Sequence, residues 1–215
     1  MTQPTSREIP IQPDRAALLF IDVQNYCARR DGGGFKDLQP AEFGAKLGYY
    51  FDRLESLALP NMQRLQAGFR AARIEVLYTH IESLTKDGRD RSLDYKITGF
   101  NVPKGSWDAQ VVDAIRPGDD EIDLPKSSSS VFVSTNIDYL LRNLGVRYLV
   151  ISGVLTDQCV ESAVRDACDL GYLVTLVPDA CATYSQERHD NSLSAIKGYC
   201  RQRNTKDLLH EIGRG

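Results

Sequence analysis

Histidine and cysteine are both scarce in this chain of 215 residues, which holds three of the first and five of the second. The thiols, Cys27, Cys159, Cys168, Cys181 and Cys200, are odd in number and widely spaced, and no CxxC pair occurs. That excludes a disulfide framework and a zinc ribbon. The segment from Met1 to Ala17 lacks the apolar core of a secretory leader, so reduced thiols in a cytoplasmic protein are expected. No apolar run approaches the roughly 20 residues that cross a bilayer, and no membrane partner is expected. A formal net charge of −3 gives no basic footprint for nucleic acid. Phosphate-binding loops are missing too. No GxGxxG follows a strand, and Gly32-Gly33-Gly34 lacks the Gly-Lys-Ser/Thr ending that would put a lysine on a nucleotide. No cofactor is therefore expected.

What is present is an ordinary globular composition, 42% hydrophobic and 26% charged. Residues 1–15 are polar and proline-bearing and read as an N-terminal arm. Residues 16–215 read as a single domain with a loop insertion near 85–107. Short, nearly continuous apolar runs at Ala16–Asp22, Ile74–Thr79, Tyr148–Gly153 and Leu173–Val177 have the character of strands buried on both faces. Between them apolar residues recur at helical spacing. Leu54, Leu57, Leu65, Phe69 and Ala72 form one set, and Ile137, Leu140, Leu141 and Leu144 another. After the third run, Val160, Ala163, Val164, Ala167 and Leu170 mark a helix that stops at Gly171. Ser185–Gly198 reads as a further helix, with a short element at Leu208–Leu209. Buried strands alternating with helices predict an α/β fold, a Rossmann-like three-layer α/β/α sandwich on a mostly parallel sheet. In such sheets ligands bind beyond the carboxyl ends of the strands. Two connections leave that edge, the glycine loop at 31–35 and the polar stretch from Lys86 to Trp107.

Three residues at these junctions suggest chemistry in combination. Asp22 ends the first apolar run within Ile21-Asp-Val-Gln-Asn25. Alone, an aspartate there closes a turn. Lys126 precedes Ser127-Ser-Ser-Ser130, where a lone lysine is a solvated charge. Cys159 lies in Gly153-Val-Leu-Thr-Asp-Gln-Cys-Val160, at the switch from the third run into a helix. A cysteine in a first helical turn meets unpaired N–H groups and the positive end of the helix dipole, which favour thiolate. The other four cysteines lack that setting and read as packing or surface thiols.

Taken together, the Asp-x-Gln after the first strand, the Lys126 region leading to Phe132, and Gly-x-x-Thr-x-x-Cys-Val resemble the isochorismatase-like cysteine hydrolases. The resemblance runs from about Ala16 to about Thr183 and includes Val177-Pro-Asp-Ala-Cys-Ala182. Isochorismatases proper lack the cysteine, so Cys159 aligns the chain with the amide-cleaving branch. The resemblance implies a catalytic triad of Asp22, Lys126 and Cys159, with Asp22 as general base and then acid. Cys159 would be the nucleophile that forms a thioester-type intermediate, and Lys126 the charge that holds both. It also implies an oxyanion hole from the backbone N–H groups of Leu155 and Cys159, and a non-proline cis peptide at Val154–Leu155.

The implied substrate is a small linear ureido or carbamoyl amide of the biuret, triuret, ureidoacrylate or N-carbamoylsarcosine type, with release of ammonia. The spacing from Lys126 to Cys159 resembles that branch. Gln24, Asn25, Phe35 and Gln158 are candidate substrate contacts, Phe35 through hinge motion of the glycine run. Arg89, Arg91, Asn101 and Trp107 are candidates in the long connection. Nicotinamidases in the superfamily hold a metal through Asp-x-His and a second histidine. Here His80, His189 and His210 are far apart, and no metal is expected. His80 reads as a core residue or as one that supports the site.

Other readings are another small amide, of maleamate or nicotinamide type, or a non-catalytic relative that binds or senses redox state through Cys159. A flavodoxin-like carrier would need a phosphate loop that Asp22-Val-Gln-Asn25 does not provide. Relatives are commonly dimers or tetramers, so a homo-oligomer is expected. Tyr49-Tyr-Phe51 either faces a partner or covers the chain's own core.

Overall fold

The computed structural model describes residues 6–213; the first five residues of the expected arm lie outside them. Six strands form one sheet, β1 (Ala16–Ile21), β2 (Glu75–Ile81), β3 (Ile122–Lys126), β4 (Tyr148–Val154), β5 (Leu173–Ala182) and β6 (Arg201–Gln202). Their order is β3-β2-β1-β4-β5-β6, and every neighbouring pair is parallel. β1 and β4 are buried at every position, which explains their unbroken apolar sequence. Helices cover both faces, giving the expected three layers.

Parallel neighbours need crossovers, and the helices provide them. They are α1 (Asn25–Ala28), α2 (Pro40–Arg53), α3 (Leu59–Ala71), α4 (Leu93–Ile97), α5 (Val131–Ser134), α6 (Ile137–Asn143), α7 (Glu161–Asp169), α8 (Gln186–Ile196) and α9 (Thr205–Ile212). A π-helical turn at Leu54–Ala58 joins α2 to α3 without a break in the chain's course. Alternate residues of β1 face opposite layers. Leu18 and Phe20 pack with Tyr50, Met62, Leu65 and Leu208, whereas Ala17, Leu19 and Ile21 pack with Leu141, Ala163, Val164 and Ala167.

The structure lengthens some expected elements and adds others. β5 runs on to Ala182, well past Val177, and α9 occupies a full two turns where only Leu208–Leu209 was marked. β3 and β6 were not anticipated. Both are edge strands, and β3 carries Asp123 and Pro125, residues that argue against a buried strand but are tolerated at an edge. Leu170 and Leu144 sit at helix ends, each more than one-third exposed, so they lie off the buried stripe. Tyr50 and Phe51 are fully buried and cover the chain's own core.

β1 is the point where strand order reverses, because β2 follows on one side and β4 on the other. The crevice beyond the carboxyl ends of β1 and β4 is the place this architecture leaves for a ligand.

Candidate active site

Asp22 is the first residue beyond β1 and takes the left-handed conformation, φ 56°. Aspartate is among the few non-glycine residues that tolerate that region, at a cost of about 1–3 kcal/mol. The turn is fixed by Asp22 N–H donating to the Thr79 carbonyl at 2.9 Å, and by Thr79 Oγ1 donating to Asp22 Oδ1 at 2.9 Å. Lys126 is the last residue of β3, paired in register with Ile81 of β2. Cys159 lies in a π-helical turn, Thr156–Val160, between β4 and α7. Three elements distant in sequence thus deliver Asp22, Lys126 and Cys159 to one place.

The three side chains meet out of water, with Lys126 0%, Asp22 1% and Cys159 6% exposed. Lys126 Nζ is 2.8 Å from Asp22 Oδ2. It donates to the carbonyls of Ser128 at 2.8 Å and Ser129 at 3.0 Å, and to Cys159 Sγ at 3.5 Å. The 2.8 Å contact with Asp22 Oδ2 is a buried ion pair, so the ammonium is shared among the carboxylate, the two carbonyls and the sulfur.

The charges follow from burial and pairing. Burial alone would discharge Lys126, but the Asp22 carboxylate and the Cys159 sulfur outweigh it and hold the ammonium above its ordinary range. For Cys159 burial dominates and pushes the thiol up to about 12, against the pull of Lys126. The helix-start position led to the expectation of a thiolate. The desolvated setting works against that expectation, because burial favours the neutral form.

β4 approaches β1 closely at the same level. Gly153, φ 135°, pairs with Ile21, and a Cβ at Gly153 would overlap the Ile21 carbonyl oxygen. Immediately after it the Val154–Leu155 peptide is cis. Behind the cysteine turn, Thr156 Oγ1 and His189 Nδ1 lie 2.9 Å apart, and Arg53 Nη2 donates to His189 Nε2 at 2.9 Å. Burial, then the Arg53 charge, lowers His189 to about 4, so the ring stays neutral near neutrality. Sequence reasoning missed this brace, since no local pattern ties Arg53 and His189 to Thr156.

A cavity of about 430 Å³ opens onto Cys159 and Asp22, with Tyr95, Phe100, Leu155 and Tyr184 among its walls. Of the four expected substrate contacts only Gln158 lines it. Gln24 is fully buried. Its Nε2 donates to the carbonyls of Ile81 at 2.9 Å and Asp108 at 3.0 Å, and its Oε1 accepts from Ile81 N–H at 2.5 Å. Asn25 Nδ2 donates to the Trp107 carbonyl at 2.9 Å. Both amides therefore satisfy backbone.

Phe35 is packed in the core, 5.4 Å from the ring of Phe51. The glycine run beside it is not a hinge, because Gly33 N–H donates to Asp108 Oδ1 at 2.9 Å and Gly34 N–H to the Tyr26 carbonyl at 3.2 Å. Nor do Arg89, Arg91, Asn101 and Trp107 line the cavity. The long connection contributes instead Asp94, Tyr95, Thr98 and Phe100. Ser92 Oγ accepts from Tyr95 N–H at 3.3 Å at the start of α4, and Ser92 N–H donates to the Ser127 carbonyl at 2.9 Å. That second bond ties the wall to the segment after Lys126.

His80 is part-buried and is not among the residues that line the cavity. Its Nδ1 is 2.7 Å from Asp123 Oδ1, and its Nε2 is 3.7 Å from Glu82. Among the described residues no group of three or more His, Cys, Asp or Glu side chains is arranged to hold a metal ion. No helix there is long and apolar enough to cross a membrane.

Known proteins resemble this chain in sequence and in fold. The isochorismatase domain matches residues 16–206. A ureidoacrylate amidohydrolase, RutB, of Agrobacterium fabrum is 30% identical over 231 residues, covering 93% of this chain and 95% of that protein. The RutB of Serratia proteamaculans is also 30% identical, over 93% of this chain and 88% of its own length. In fold, a cysteine hydrolase from Pseudomonas syringae superposes with a TM-score of 0.78 at 22% identity, covering 100% of this chain and 99% of its own. An N-carbamoylsarcosine amidase from Thermoplasma acidophilum superposes with a TM-score of 0.69 at 23% identity, over 89% of this chain and 96% of its own.

Proposed function

The chain belongs to the isochorismatase family, and on that footing we propose that it is a cysteine-dependent amidohydrolase cleaving a ureido or carbamoyl C–N bond. The observation that carries this reading is the buried contact of Lys126 Nζ with Asp22 Oδ2 at 2.8 Å and Cys159 Sγ at 3.5 Å, on the wall of a cavity. The curated relatives named for ureidoacrylate support the ureido class.

In this mechanism Asp22 accepts the Cys159 proton as Sγ bonds to the substrate carbonyl carbon. Burial holds the thiol above its ordinary range, which disfavours ionisation near neutrality and gives a base a part to play. The backbone N–H groups of Leu155 and Cys159 receive the negative oxygen. As the tetrahedral species collapses, the C–N bond breaks, and the proton on Asp22 passes to the nitrogen, which leaves as ammonia. The acyl group stays on sulfur as a thioester, or a thiocarbamate for a ureido substrate. Water, deprotonated by Asp22, then attacks that carbon, and the S–C bond breaks to return the thiol. Lys126 keeps its proton throughout and offsets the charge that moves between Asp22 and sulfur.

The test is steady-state ammonia release from a panel of ureido, carbamoyl and simple amides. Wild type is expected to turn over ureido or carbamoyl members, and Cys159→Ser to lose at least about 10²-fold in kcat. A wild-type protein inert on the whole panel, or a fully active Cys159→Ser, would contradict the reading.

A further inference from the structure

The cavity beside Cys159 is unusual for a site meant to hold an acidic substrate. Its walls include Tyr95, Phe100, Leu155 and Tyr184, and no arginine or histidine is among its lining residues. Lys126 is wholly buried and committed to Asp22, Cys159 and two carbonyls, and Arg188, 5.2 Å over the ring of the lining residue Tyr184, is paired with Asp157. The arginines of the adjoining connection are tied elsewhere. Arg89 pairs with Asp87 at 2.9 Å, and Arg91 donates to the carbonyls of Gly88 at 2.9 Å and Phe100 at 2.7 Å. The second charged group that lines the cavity with Asp22 is another carboxylate, Asp94 of α4. Asp94 is exposed, and among the described residues it has no ion-pair partner.

A carboxylate entering such a cavity would leave water for aromatic walls, without the guanidinium that normally pairs with it. It would also meet the field of Asp94, a like charge on the cavity wall. An uncharged aromatic or alkyl group would lose nothing by the same transfer and would bury apolar area. A cationic group would gain Asp94 as a partner. The wall is held in place for this role, since the Phe100 ring packs 4.8 Å from Tyr95 and 4.9 Å from Tyr26.

We propose that Asp94 is a specificity-determining residue that selects amides whose group remote from the scissile bond is apolar or cationic, and rejects those ending in a carboxylate. This rests on the amidohydrolase reading and separates the chain's substrates from the acid named in its ureidoacrylate-cleaving relatives.

The experiment compares phenylurea, 4-carboxyphenylurea and 4-(aminomethyl)phenylurea by kcat/KM for ammonia release. In wild type the carboxylate compound is expected to be at least about tenfold poorer than phenylurea, which corresponds to about 1.4 kcal/mol. Asp94→Asn should narrow that ratio, and Thr98→Arg should narrow or reverse it. A loss of structure alone would lower all three compounds together and leave the ratio where it was. Equal or better use of 4-carboxyphenylurea by wild type overturns the proposal, as does an unchanged ratio in Asp94→Asn. If none of the three is hydrolysed, the wider ammonia-release panel decides the amidohydrolase reading separately. Charge selection is then read from calorimetric binding of the same compounds to Cys159→Ala, where tighter binding of the carboxylate overturns it.

Discussion

At the scale of single residues, the site turns on which of two effects controls the Cys159 sulfur. A lysine 3.5 Å away favours thiolate, and burial favours thiol; burial wins and raises the group to about 12. Asp22 adds to the same side, since its negative charge also raises the thiol. The two functions of Asp22 therefore separate in a variant. Asp22→Asn removes the base, and hydrolysis is expected to fall by about 10²–10⁴. It also removes a charge that opposes ionisation, so Cys159 should alkylate faster with iodoacetamide near pH 8. In wild type that rate should still be rising at pH 10, because the folded-state value lies above the ordinary thiol range. Peptide mapping after timed labelling measures both. Parallel loss of labelling and hydrolysis in Asp22→Asn would sink this account of the charges.

Position along the chain put Asp22 and Cys159 after strands of apolar sequence, but what singled them out was their combination with Lys126 and the family resemblance it carried. What sequence could not convey was the desolvation, which depends on side chains packed from other elements. For the same reason Arg89 and Arg91 attracted attention that belonged to Asp94, Tyr95 and Phe100. A charged side chain in a loop suggests a ligand contact, and only the fold shows that Arg89 pairs with Asp87 and Arg91 with backbone carbonyls.

At the scale of elements, the junction of β1 and β4 brings Asp22 and the turn that carries Cys159 to one place. Gly153 is the closest point of that junction, with φ 135° and no room for a Cβ against the Ile21 carbonyl. Gly153→Ala combines backbone strain with overpacking, each worth about 1–3 kcal/mol. We expect a loss of about 2–4 kcal/mol in urea unfolding, and a larger fractional loss of kcat than of substrate affinity. A change below about 1 kcal/mol would mean that the strands separate easily there.

The run Tyr148–Gly153 was legible as a strand from its apolar content. The need for glycine at its end was not, because it arises from a neighbour 132 positions away in a parallel pairing, Ile21 with Gly153. α4 was illegible for another reason. Five residues with Leu93 and Ile97 both exposed show no buried stripe, and a capping Ser92 is too weak a signal by itself.

At the scale of the whole molecule, the late part of the chain is fastened to the sheet through a buried arginine on the short edge strand β6. Arg201, 1% exposed, donates from Nε to Thr175 Oγ1 at 3.1 Å, and from its two Nη atoms to Glu211 of α9 at 3.0 and 2.8 Å. Glu211 Oε1 also accepts from Ile11 N–H at 2.7 Å, so one carboxylate joins the segment before β1, β6 and α9. Burial works against the Glu211 charge, yet Arg201 and the Ile11 N–H outweigh it and hold the group below its ordinary 4.5. With the folded value depressed, the unfolded chain binds the proton first. Glu211 therefore stabilises the fold fully above the unfolded value, and that contribution disappears as pH falls through the folded value.

Glu211→Gln leaves Arg201 buried without its counter-charge, and we expect a loss of about 2–3 kcal/mol at pH 7, below the usual range for a fully buried pair because Glu211 is 19% exposed. As pH falls through the depressed folded value, wild type comes to carry a protonated Glu211 as well, so the gap between the two proteins should shrink. Urea unfolding at pH 7 and pH 3 measures the gap at each. An equal gap at both would assign the effect to lost packing and remove the charge from the explanation. Kinetic behaviour should follow the same division, because the fastening lies on β6 and the proposed chemistry at the ends of β1, β3 and β4. At pH 7 and a temperature where Glu211→Gln stays folded, its kcat should match wild type within about twofold.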